Sequence, residues 1–137
     1  MPTLDNAFSE LRRLNQPVPK PGVLPTEEEV NRVEAELGTT FHPDFKRYLL
    51  EASDVVFGTL EPVTITSPTS HTNLLSVVES ARLGSVPDKL IPVCEDNSDF
   101  YCIDESGRVC FWSHNGITEE QWPTLADWIL EVWVGEA

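Results

Sequence analysis

The chain has 137 residues, with 9 Lys and Arg against 23 Asp and Glu for a formal net charge of −14, and 40% hydrophobic residues that include four Trp and six Phe. That length suits one domain with one core, and that apolar content excludes a disordered chain. So negative a surface repels phosphate backbones and anionic lipid, which argues against nucleic acid and membrane as direct partners and favours encounter with a basic protein.

Residues 1–25 carry Arg12, Arg13 and Lys20 against Asp5 and Glu10, so the acidic excess lies entirely in residues 26–137. The opening MPTLDNAFSELRRL has no basic-then-apolar leader. With three cysteines, at 94, 102 and 110, the expectation is a cytoplasmic protein with reduced thiols.

The first element is an amphipathic helix over 4–15, with Leu4, Phe8, Leu11 and Leu14 on one stripe. QPVPKPG (16–22) cannot continue it and reads as an extended connector. Residues 1–23 are therefore read as a helical arm and proline-rich connector, ahead of a domain over 24–137. Thr26 and Glu29 form a capping box, with Glu27 to Glu29 at the positive end of the helix dipole and Gly38 at its left-handed stop. His42-Pro43 opens a further helix to about residue 52, faced by Phe45, Tyr48, Leu49 and Ala52.

From Val55 the period changes. VVFG and VTIT read as short strands, and Pro62 belongs at an edge. SPTSHTN (67–73) is a polar loop, and LLSVVESARLG (74–84) fits a helix. LIPVCE, FYCID and VCFWS then read as three strands, the last two joined at Glu105-Ser106-Gly107. Asn115-Gly116 marks another turn. Thr124 and Asp127 cap a C-terminal helix lined by Leu125, Trp128, Ile129 and Val132, ending near Val134. Helices, an antiparallel meander and a closing helix make an α+β domain, with the sheet flanked by N-terminal and C-terminal helices.

The order of these pieces carries a resemblance. LPTEEEVNRVEAELGTTFHPDFKRYLL, IPVCEDNSDFYCID, GRVCFWSHN and the Trp-rich end together resemble the SUKH superfamily, the Smi/Knr-like proteins, over residues 24–134. The chain departs from that family at Ala52-Ser53-Asp54, where relatives often carry an Asn-Gly-Gly-like turn. The resemblance implies a small α+β scaffold without catalytic chemistry or cofactor. It also implies one of two roles: an immunity protein that binds and neutralises a cognate bacterial toxin, many such toxins being nucleases, or an intracellular adaptor or regulator with no toxin. The expected partner is a basic protein toxin, with no direct nucleic acid and no membrane, and the chain is expected to be a monomer or weak dimer.

CEDNSDFYCID (94–104) is the densest chemistry in the chain. Zinc would need closely spaced thiolates, but Cys94, Cys102 and Cys110 are eight apart. Calcium would need alternating oxygen ligands around a glycine, which the stretch lacks. No nucleophile elbow, papain-like cysteine or phosphate loop occurs. The plain reading is a polar connection from Glu95 to Asp99 between two strands. A turn does not require so many carboxylates, however. Glu95, Asp96, Asp99, Asp54 and Trp112 are thus the residues expected to meet a basic partner. Trp128 and Trp133 are expected in the core, and Trp122 is open to either role.

Overall fold

The computed structural model describes residues 2–136. Among them the helices are α1 (Leu4–Leu14), α2 (Glu27–Leu37), α3 (Pro43–Glu51), α4 (Leu74–Leu83) and α5 (Leu125–Trp128). The strands are β1 (Glu61–Pro62), β2 (Ile91–Asp96), β3 (Asp99–Ile103), β4 (Val109–Ser113) and β5 (Gly116–Trp122). Met1 and Ala137, the outer ends of the two segments read from the sequence, lie outside the described residues.

Local chemistry sets most helix ends. Thr26 and Glu29 form the reciprocal capping box, and Gly38 closes α2 at φ 67°, an arrangement worth about 1 kcal/mol at the N-cap alone. His42 caps α3 through Nδ1, which accepts the Asp44 amide at 3.1 Å. Thr124 and Asp127 repeat the capping box at α5. The last helix is not uniform: after Trp128 the backbone widens to a π-helical stretch, Ile129–Trp133, and ends in a 3₁₀ turn, Val134–Glu136. The widening carries Ile129 and Trp133 into the core together, and both are fully buried.

The sheet is an antiparallel meander in the order β1-β2-β3-β4-β5. On one face, Tyr101 packs on Trp128, and Tyr48 of α3 meets Trp133. The Tyr48 hydroxyl donates to the Val63 carbonyl at 2.8 Å. α1 joins the same core, burying Leu4, Ala7, Phe8 and Leu11. On the other face lies α4, whose C-terminal Gly84 sits against the ring of Phe100. The α+β class with flanking helices is thus as the sequence indicates, with α4 adding a layer on the second face.

Two stretches differ from expectation. Residues 55–58 and 63–66 are not paired strands; β1 is confined to Glu61–Pro62, with one isolated bridge from Thr64 to Asn73. Val55, Phe57, Leu60 and Val63 are buried nonetheless. Their β-branched, aromatic composition serves core filling by irregular backbone, tied by Trp133 Nε1 donating to the Phe57 carbonyl at 3.0 Å. Conversely, GITEEQW forms the whole of edge strand β5. Its charges hide the strand signal, as is common at sheet edges, where charge discourages further pairing.

Candidate functional site

Glu95, Asp96 and Asp99 of CEDNSDFYCID are not in a connection. β2 runs to Asp96 and β3 starts at Asp99, so the turn is only Asn97-Ser98, both left-handed at φ 52° and 72°. A two-residue loop with both central residues at positive φ matches the twist of the flanking strands.

Directly opposed residues on antiparallel strands point to the same face. The registers Glu61↔Glu95, Glu95↔Phe100, Phe100↔Trp112 and Trp112↔Ile117 therefore align one residue from each strand in a single row, on the α4 side. At ordinary strand spacing the row is about 19 Å long. Glu61 and Ile117, at its ends, are exposed; Glu95 and Trp112 are half-buried; Phe100, in the middle, lies under the end of α4. One row on, Asp96 stands opposite Asp99 across the turn, on the other face.

Two pairs of carboxylates are thus directly opposed at one end of the sheet, an arrangement that costs stability. Partners within the chain relieve part of it. His71 Nε2 lies 2.6 Å from the Glu61 carboxylate. The His114 amide donates to Asp99 Oδ1 at 2.9 Å, pinning the β4–β5 turn to the β2–β3 turn. Asp96 receives the side-chain amide of Asn97 at 3.4 Å.

Asp54 stands apart from this row. Arg12 grips it with both terminal nitrogens, at 2.5 and 3.0 Å, and also donates to the Glu51 carbonyl at 2.7 Å. The carboxylate latches α1 onto the end of α3. It shares with Glu61 the wall of a small recess of about 220 Å³.

A groove of about 830 Å³ lies at the opposite end of the sheet, bordered by Glu34, His42, Lys89, Ile103 and Glu105. None of the five sequence-predicted residues reaches it. Glu34 and Asp104, two of its charged residues, are committed to structure. Glu34 accepts the Phe41 amide at 2.7 Å and pairs with Lys46 at 3.1 Å. Asp104 Oδ1 accepts from the Ser106 hydroxyl, the Ser106 amide and the Arg108 amide at 2.7, 2.9 and 3.0 Å. Burial opposes ionisation of Asp104, but these donors and the Arg108 charge outweigh it and hold its pKa below the ordinary value.

Sequence reasoning nominated Glu95 and Trp112, which the fold brings into one row, and Asp96 and Asp99 beside them. It passed over Glu61 and Ile117. Ile117 was within reach: a two-residue turn at His114-Asn115 places it opposite Trp112. Glu61 was not, because its pairing with Glu95 spans an intervening helix.

The arrangement suits noncovalent contact. Cys94, Cys102 and Cys110 are buried and unbonded to one another. Burial pushes the Cys102 thiol well up, with Cys110 adding to it, and raises Cys110 as well, helped by Asp104. Neither thiol is a ready nucleophile. Among the described residues no three His, Cys, Asp or Glu side chains converge to hold a metal ion, and no helix is long and apolar enough to cross a membrane.

Comparison with known proteins places this geometry in context. The SUKH_5 family model, described as SMI1-KNR4 cell-wall, matches residues 4–134, so its match includes α1. A crystal structure of a protein from Pseudomonas syringae pv. tomato superposes with a TM-score of 0.92 at 43% identity, covering 96% of this chain and 98% of that one. No curated protein matches the chain.

Proposed function

Since the chain belongs to the SMI1-KNR4 family of the SUKH group, we propose that it is a non-catalytic immunity protein that binds a cognate basic protein toxin in the cytoplasm and neutralises it stoichiometrically. The toxin would be a nuclease or another enzyme with a cationic active-site surface. The observation that carries this reading is two pairs of directly opposed carboxylates at one end of the sheet, Glu61 with Glu95 on the face of the half-buried Trp112 and Asp96 with Asp99 on the other. Selection for stability alone would remove such pairs. Cationic side chains arriving from a partner relieve them, speed the encounter and add charge-assisted bonds. Glu95, Asp96 and Asp99 serve this contact with Trp112 as the anchor. Asp54 contributes from the flank of Glu61 while holding Arg12.

The test is co-expression with any toxin found encoded beside this gene. Growth should be restored, and a one-to-one complex should co-elute, with affinity falling steeply as salt is raised. Rescue that persists unchanged in an Asp96→Lys, Glu95→Lys double variant would overturn the reading. The second reading, an adaptor or regulator of Smi/Knr type with no toxin, draws on the cell-wall term in the family description. It predicts no toxic neighbour and a monomer or weak dimer that joins housekeeping assemblies.

A further inference from the structure

The α4 layer covers only part of its face of the sheet. Phe100 lies beneath it, but Trp112 is half-buried, Ile117 is 55% exposed and Gln121 is exposed. Leu83, the last residue of α4, is 83% exposed and directly precedes the Gly84 that meets Phe100. The opposite face is different: there Tyr101 is packed between Phe111, Trp122 and Trp128, with ring centroids 4.7, 5.7 and 5.3 Å away.

Carboxylates line the β1 side of the open half. The row carries Glu61 and Glu95 toward β1. The cations near this face, Arg82, Arg108 and His71, each have a partner within the chain. The Arg82 guanidinium donates to the carbonyls of Val86, Pro87, Asp88 and Leu90 and pairs with Asp88. Arg108 donates to Gln121 at the far end of β4 and β5. His71 is held at Glu61.

Resting on the reading of a basic protein partner, we propose that this open face is the docking surface and that its occupant is a basic amphipathic segment of that partner. Apolar side chains of the segment cover Trp112 and Ile117, and its arginines or lysines reach Glu95 and Glu61 along the same row. Apolar burial supplies most of the affinity; the glutamates set the direction in which the segment lies. Nucleic acid is excluded as occupant by the same glutamates.

The full chain, isotope-labelled, is titrated with two synthetic peptides: a helical one with arginines on one side and leucines on the other, and an arginine–serine peptide of equal charge. The amphipathic peptide should shift the Trp112 indole and Ile117 methyl signals, and bind about tenfold more tightly than the arginine–serine peptide. Ile117→Asp and Glu95→Lys should each weaken it by about tenfold. Glu131→Lys, on the exposed side of the π-helical stretch, should leave it unchanged. All three variants are to be checked for an unaltered fold by their amide spectra. Shifts confined to Asp96, Asp99 and the Tyr101 face would overturn the docking face while leaving the basic-partner reading intact. Equal affinity for the two peptides would overturn the apolar anchor. Failure of both peptides to bind at low salt would count against the basic partner itself.

Discussion

The two ends of the sheet handle carboxylates in opposite ways. At the Asp104–Arg108 turn one carboxylate meets three donors, and Gly107, at φ 90°, lets the imidazole of His42 lie against the backbone. At the other end, carboxylates face carboxylates, and the turn is built from two left-handed residues that are not glycine. At one end the carboxylate is satisfied within the chain. The other retains strain that a partner can relieve. On the proposed reading, carboxylates left opposed are those a cationic partner would meet, and the contrast is the ground for proposing this end as the contact.

The contrast can be broken from the closed end first. A Cβ on Gly107 would lie 2.6 Å from His42 Nε2, and an alanine there would also be strained at positive φ. Gly107→Ala should cost about 2–4 kcal/mol by urea unfolding. Adding His42→Ala should recover part of that loss but not the backbone strain. Next, Asp104→Asn should cost about 1–2 kcal/mol at neutral pH. Because the folded pKa of Asp104 is depressed, its contribution is present above the unfolded carboxylate range and is lost as pH falls through the folded value. The variant and the parent should therefore converge in stability in acid.

The open end should respond with the opposite sign. Glu95→Lys places a cation opposite Glu61 and should raise stability by about 0.5–1 kcal/mol while weakening partner binding. Asp99→Asn keeps an acceptor for the His114 amide and removes repulsion from Asp96, so it should be neutral or stabilising by a few tenths of a kcal/mol, on the order of a single cross-strand pair. A clear loss in either variant would mean that the carboxylates here are as well satisfied as Asp104, and the contrast would disappear.

Much of this architecture is legible in the residues, because caps and turns are local. Thr26 with Glu29, Gly38, Pro43 and Thr124 with Asp127 mark helix ends within a few positions of themselves. Trp128 and Trp133 declare a buried stripe. What escapes is settled by distant partners. Asp54 reads as a free acid until Arg12, 42 positions away, is placed beside it. Asp99 reads as a turn residue until the amide of His114, 15 positions on, donates to it. Val55 to Thr66 have strand composition, yet the core needs their side chains more than the sheet needs their backbone. The site is legible in half: Glu95 and Trp112 were nominated singly, but the row that unites them with Glu61 and Ile117 exists only once the register is known.

The three thiols give the molecule a built-in clock. Cys94, Cys102 and Cys110 sit on three successive strands, inside the fold. Cys94 and Cys102 have no exposed surface, so an alkylating reagent added under native conditions reaches them when those strands part. The rate of mass gain thus times the opening of the meander, without any label being introduced, and should slow when a partner clamps the sheet shut.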